Sequence, residues 1–343
     1  MSSPNNVAYD YDTMATSTLA LMRKRIADQI FKANNTAAFF LASGRVQRED
    51  GGKWIEEPLL YSKNDTVQPY VGYEPLTVQP TEELTMARFN WRQVAGSVVI
   101  SGLEELQNAG RAQVFNMLKQ KIMVLEMSMK EYFDEKIHAA TATKDLTRDF
   151  LGLAEIIENQ AGASQGSLGG IDRGTYTWWR NQRQLATDYS FLGATNAWSA
   201  RAMTKAMINF MNTCSKNHGT KTKLLLTTQA LYENFEYENH DLLRLQSSDR
   251  NMLDVGFDNY RFKGATMMWN ENAPANLMYF INPEYMRFVI HSRRNFVMTP
   301  FAKPINQDAK TAQMLWAGNM TCGNNRFQGV LDFTGAAFNA TGS

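Results

Sequence analysis

The chain has 343 residues, 44% hydrophobic, 11% aromatic and 20% charged, with a formal net charge of +1. That is apolar material enough for a sizeable core, too little charge for a disordered chain, and more length than one typical domain, so two compact units with extensions are expected. A balance this close to neutral excludes avid DNA binding by a single copy; any nucleic-acid contact has to be local, or weak and multiplied over many copies.

The N-terminus, MSSPNNVAYDYD, lacks the basic and apolar regions of a signal peptide. From Met14 to Phe31, Leu19, Met22, Ile26 and Ile30 recur at helical spacing with Arg23, Lys24 and Arg25 on the other faces, and Asn34-Asn35 breaks the pattern. A lone terminal helix of this kind buries little by itself and reads as an arm. The longest small-apolar run, Ala37 to Ala42, is far short of the ~20 residues that span a bilayer, so a soluble, intracellular product with no membrane partner is expected.

From Gly44 to Ser101 the character changes. DGGKW supplies a turn, WIEEPLLY an extended run and SKND another turn, while Pro69, Pro75 and Pro80 exclude helix and TMARFNWRQVAGSVVIS reads as strand. Together they predict a long β-hairpin with few apolar residues at its centre. Such a hairpin is marginal alone in water and is expected to fold against a neighbouring subunit rather than its own core. From Gly102 to Ala140 the steps Leu118, Ile122, Leu125, Met129, Tyr132-Phe133 and Ile137 predict one long helix; its seam is too short for a robust coiled coil.

A looser stretch after Thr141 leads into GGIDRGTYTWWRNQ, Gly169 to Gln182. Gly169 and Gly170 permit a backbone turn that other residues resist, Asp172 and Arg173 can satisfy polar groups, and Trp178 and Trp179 carry large apolar area, with Arg180 beside them. The stretch reads as a packing joint between domains rather than a ligand site, and at least one tryptophan is expected to be buried. Beyond it, NAWSARAMTKAMINFMNTC is a helix with Met203, Met207, Phe210, Met211 and Cys214 on one face; KTKLLLTT is a buried strand, TQALYENFEYE a helix, and RFKGATMMW and NLMYFIN are strands. Helices and strands alternating over Asn196 to Asn295 predict a compact α/β or α+β unit. DAKTAQMLWAGNMTC reads as a mixed stretch, and NRFQGVLDF as a closing strand.

Chemistry is scarce. GASQG, Gly162 to Gly166, matches the G-x-S-x-G elbow in letters but lacks a preceding buried strand. No P-loop or dinucleotide fingerprint occurs. Cys214 and His218 could share a helix face, yet a structural zinc site wants four ligands and the other histidines and Cys322 are scattered singly. Two cysteines are too few for a disulfide framework and fit a reducing compartment. The sequence therefore predicts no enzyme, no metal and no cofactor.

The ordered series of arm, hairpin, long helix, GGIDR-TY-WWR, α/β unit and closing strand resembles the major capsid proteins of tailed bacteriophages. LLYSKNDTVQPYVGYEPL followed by FNWRQVAGSVVISGLEEL looks like that family's extended loop and entry to its spine helix. LLLTTQALYENFE, LDVGFDNYRFKGATMMWNEN and LMYFINPEYM resemble its axial domain, and AQMLWAGNMTCGNNRFQGVL its return strand. The likeness runs from about Asp28 to Phe333. It implies the α+β Hong Kong phage capsid fold: an N-terminal arm over 1–43, an extended hairpin loop over 44–88, a peripheral domain over 89–195 with a spine helix near 103–140, an axial domain over 196–296, and a return over 297–343. It further implies hexamers and pentamers of this chain closing an icosahedral shell around double-stranded DNA, in a virion assembled in host cytoplasm. The implied partners are a portal protein, a separate scaffold protein, room for a decoration protein, and packaged DNA held without sequence preference, with Arg23, Lys24 and Arg25 as DNA-facing candidates. Some members crosslink through a lysine of the extended loop, for which Lys53 and Lys63 are candidates by location alone. An encapsulin-like compartment on the same fold is the alternative.

Overall fold

A computed structural model describes residues 35–41, 46–76, 78–107, 117–189, 202–216, 221–243 and 260–335. The arm helix, Arg23 to Arg25 and His218 lie outside these residues. In chain order the regular elements are helix α1 (Asn35–Leu41), strands β1 (Val46–Glu49), β2 (Ile55–Leu60), β3 (Leu84–Phe89) and β4 (Arg92–Ser101), and helices α2 (Gly102–Gln107), α3 (Met117–His138) and α4 (Leu153–Ile156). They continue with β5 (Ser167–Leu168), β6 (Ile171–Asp172), β7 (Gln182–Leu185), α5 (Ala202–Cys214), β8 (Leu224–Thr227), α6 (Gln229–Leu243), β9 (Arg261–Phe262) and β10 (Ala265–Trp269). Strands β11 (Leu277–Ile281), β12 (Met286–His291), β13 (Val297–Met298), β14 (Ala309–Cys322) and β15 (Gly329–Asp332) complete the series. Helix α1 starts at Asn35, where the sequence suggested only a break. None of the described helices is long and apolar enough to cross a membrane.

The chain divides into two units. The described residues of the larger lie within Ala33–Val94, Phe133–Asn295 and Trp316–Ser343. Its centre is a six-stranded sheet in the order β7-β15-β11-β8-β10-β9. Strand β8 is buried along its whole length, so it reads as an unbroken Leu224-Leu225-Leu226 run instead of an alternation. Met203, Met207, Phe210, Met211 and Cys214, the five residues that share a helical face in the sequence, are all buried here. They pack with Leu225, Met267, Met278, Phe280 and Leu331 from the sheet and with Leu231 and Phe235 from α6. Gly329 sits so close to Phe210 and Cys214 that a Cβ would lie 2.8 and 2.6 Å from them. Lys263 and Gly264 both have positive φ and turn β9 tightly into β10.

A second core in the same unit is aromatic. Phe133 lies edge-on to Trp316 at 4.7 Å and stacks on Phe150 at 5.1 Å, and Phe288 meets Phe40, Phe150 and Trp316 at T-shaped angles. Strand β12 holds this cluster, pairing parallel with β1 and antiparallel with the second half of β14. From Ala317 to Cys322, β14 is buried on both faces, which erases the alternation a strand normally shows. For that reason the stretch read as mixed in the sequence is one 14-residue strand.

In the smaller unit, Ala95–Tyr132 and Phe296–Leu315 hold the described residues. There β13 pairs antiparallel with Met314 and Leu315 of β14. A Cβ at Gly96 would run into Leu125, so β4 lies tight against α3 there, and Met129 is buried. Lys121 of α3 donates to the Val99 carbonyl of β4 at 3.2 Å and to Glu104 of α2 at 2.8 Å.

Candidate functional site

The long hairpin of the sequence is β2 paired with β3 over Ile55↔Phe89 to Leu60↔Leu84, and the single strand expected after Thr85 is broken at Asn90-Trp91 into β3 and β4. Its root is core: Ile55 and Ala87 are wholly buried, with Leu59 and Phe89 nearly so. The expectation that the hairpin leaves its own core alone is therefore corrected for these residues. Alternation explains the outcome, since every second residue of a ribbon lying over a core must point inward. Past Tyr61 the described apolar side chains of the loop are exposed. Val67, Tyr70, Val71, Val78 and Tyr73 are among the most exposed apolar residues described.

The Gly169–Gln182 stretch fastens this root. Gly169 and Gly170, at φ +62° and +80°, form the two-residue turn between β5 and β6, a geometry open to glycine and strained for other residues. Gly169 also lies against the hairpin: a Cβ would sit 2.8 Å from Ala87 Cβ, and its carbonyl accepts a 2.8 Å bond from the Arg88 N–H. Trp178, half-buried, stacks on Tyr61 with centroids 5.7 Å apart. Trp179 is buried, and its indole N–H donates to the Leu168 carbonyl at 3.0 Å.

Arg173 holds the stretch from within. Its guanidinium is buried and donates to the carbonyls of Gly166, Ile156 and Glu155 at 2.7, 2.9 and 3.1 Å, and pairs with Glu158 at 2.8 Å. Burial pulls its pKa below the ordinary arginine value, and Glu158 opposes that shift. Arg180 clasps the same turn from outside, donating to the Arg173 carbonyl at 2.6 Å and to that of Gly174. Asp172 accepts from the Thr175 hydroxyl and the Gly174 N–H, and these bonds hold its carboxyl below the usual range. Asn325 then reaches the Trp179 carbonyl, and Gln182 begins β7 beside β15 in the six-stranded sheet. Hairpin root, buried arginine and sheet are thus one continuous set of contacts within the larger unit.

Beside it, Lys144 and Glu155 form a buried pair at 2.9 Å, with Lys144 also donating to the Phe150 carbonyl; burial lowers the lysine's pKa. No local pattern marks this pair, because the partners are eleven residues apart with no shared periodicity. Ser164 of the GASQG motif lies exposed in a 3-10 turn, Gly162–Ser164, without the strand-to-helix bend a nucleophile requires. Cys214 and Cys322 are buried free thiols, and burial pushes both up, Cys322 to about 12. Among the described residues no cluster of three or more His, Cys, Asp or Glu could hold a metal ion. Lys53 and Lys63 are exposed residues of the hairpin region.

No family model matches the sequence, and no curated protein is significantly similar to it. Solved structures are similar over most of the chain. The capsid asymmetric unit of cyanophage A-1(L) is 17% identical, with 92% of this chain and 98% of that one covered, at a TM-score of 0.67. The capsid of Myoviridae phage XM1 is 12% identical, covering 92% and 97%, at 0.60. The holo-SrpI encapsulin complex from Synechococcus elongatus PCC 7942 is 8% identical, covering 92% and 94%, at 0.50. At these identities the likeness is one of fold, and the chain has the α+β fold of phage capsid subunits.

Proposed function

We propose that this chain is a major capsid protein, assembling as hexamers and pentamers into an icosahedral shell around the double-stranded DNA of a tailed phage. The observation that carries the reading is the hairpin. Its root is built into the subunit's own core while residues beyond Leu60 hold Val67, Tyr70, Val71, Tyr73 and Val78 out to solvent. Isolated apolar residues on a surface are ordinary, but five exposed ones within residues 67–78 of one irregular stretch mark an interaction site. A second copy of the chain is the partner that a shell-forming fold supplies in quantity.

On this reading residues 1–43 are the arm, 44–88 the extended loop, 89–195 the peripheral domain, 196–296 the axial domain and 297–343 the return. The Gly169–Arg180 stretch is the joint through which the hairpin root is held to the axial sheet. A portal protein, a separate scaffold protein, a decoration protein and DNA bound without sequence preference are the partners, in a virion assembled in host cytoplasm.

Electron microscopy of particles formed by the expressed chain tests the proposal. Closed icosahedral shells are the expected result, and a monodisperse monomer on a sizing column would overturn it. Shells that fill with protein cargo and never with DNA would favour the encapsulin-like alternative.

A further inference from the structure

A concave site lies in the larger unit at the base of the hairpin, just beyond the Ile55↔Phe89 pair. It is a half-open hollow of about 410 Å³ between the Gly51-Gly52 turn, Trp91 and the turn that follows β12. Its polar lining is cationic or neutral: Arg293, Arg294, Gln93 and His291. The two arginines are exposed. Arg294 spends one N–H on the neutral Gln93 at 3.1 Å, and the Arg293 guanidinium has no carboxylate partner among the described residues. Two carboxylates stand nearby, Asp50 accepting from the Ser292 hydroxyl and Glu49 from the Gln47 amide, and neither is paired with Arg293 or Arg294.

The walls are fixed. The Trp91 indole N–H donates to the Gly52 carbonyl at 3.0 Å, and the ring meets His291 edge-on at 5.6 Å. Gly51 and Gly52 have φ of +155° and +116°, so the turn is of a kind that only glycine forms easily. A Cβ at Gly51 would meet nothing, so that glycine is there for its backbone, which stays open to a ligand. The Arg293 N–H bonds His291 Nδ1, and the Arg294 N–H bonds the His291 carbonyl, which sets both arginines on one tight turn.

Two adjacent guanidiniums without carboxylates, over a glycine turn and a ring, suit tetrahedral oxyanions better than any neutral ligand. We propose that this hollow binds phosphate groups of a polynucleotide backbone. The proposal rests on the shell reading only for the source of the polynucleotide. It adds a built site to the sequence-blind contact expected of the arm, with two phosphates per copy neutralised by Arg293 and Arg294.

The test is fluorescence anisotropy of a labelled 15-base-pair duplex with the full chain across a salt series. Arg293→Gln/Arg294→Gln is compared with Lys205→Gln/Arg261→Gln, which removes the same charge from exposed positions outside the hollow. Losing two phosphate contacts should weaken binding roughly 10-fold at low salt and reduce the log–log salt slope by about 1.8, with the control double unchanged. Equal losses in both doubles, or none in the first, would overturn the proposal. So would displacement of the duplex by millimolar inorganic phosphate, which would make this a free-anion site, or tighter binding of a 15-residue polyglutamate, which would make the partner an acidic protein. Microscopy of the first double variant separates this from the shell reading: shells that form while DNA binding is unaltered defeat only the hollow, and absent wild-type shells defeat only the assembly.

Discussion

At the scale of single residues, Arg173, Trp179 and His138 make the sharpest claims. Arg173→Ala leaves Glu158 and three carbonyls without their donor, and breaking a buried pair of this kind costs about 3–5 kcal/mol. Arg173→Lys should recover little of it, because an ammonium carries three donors on a point charge where the guanidinium's five fan outward. Urea unfolding of both variants measures this, and a lysine variant as stable as wild type would contradict it. Trp179→Ala, at a buried position, should cost about 3–5 kcal/mol. Trp178→Ala should cost markedly less overall, yet loosen the hairpin by losing its stack on Tyr61, seen as faster proteolysis between residues 61 and 83. His138 is buried, with Nε2 on Thr36 Oγ1 at 2.9 Å, and burial lowers its pKa to about 4 while Asp134 partly opposes the shift. Above pH 6.5 the ring is neutral whether folded or unfolded. Between pH 6.5 and about 4 only the unfolded chain takes up the proton, so stability falls with pH across that window, by on the order of 3 kcal/mol in total. Urea midpoints between pH 7.5 and 4.5 should show this decline, and His138→Gln should lack that share of it; parallel curves would refute the assignment.

At the scale of elements, periodicity decided what could be read. Helix α5 and strands β2, β8, β10 and β11 were legible because each buries one stripe or the whole of a short run. Strand β14 was not, since its second half is buried on both faces, and β1 is a four-residue edge whose partner lies some 240 positions away. The Gly169–Gln182 stretch was legible by residue type in its glycine turn and in the burial of one tryptophan, Trp179. Its attachment to the hairpin was not, because Ala87, Arg88 and Tyr61 carry no local mark of that partner. Gly169 supplies a test at this scale. Gly169→Val combines a positive φ with a clash against Ala87 and should destabilise the hairpin root by more than ~1 kcal/mol, while Gly170→Ala, where a Cβ meets nothing, pays only the backbone strain. Equal melting temperatures for the two variants would mean that the contact with Ala87 carries no weight.

On the proposed shell reading the hairpin region has two roles in the whole molecule: its root stabilises the subunit and the stretch beyond Leu60 meets another copy. Deleting Ser62 to Pro80 separates them, because the residues removed lie beyond the paired strands that end at Leu60 and Leu84. Joining the strands by a short glycine turn should keep Ile55, Leu59, Ala87 and Phe89 buried. The decisive measurement is negative-stain microscopy of this deletion variant beside wild type, on samples whose thermal melts are recorded together. The expected result is a cooperative melt within a few degrees of wild-type subunits and no closed shells. Closed shells from the deleted chain, or loss of the folded subunit itself, would contradict it.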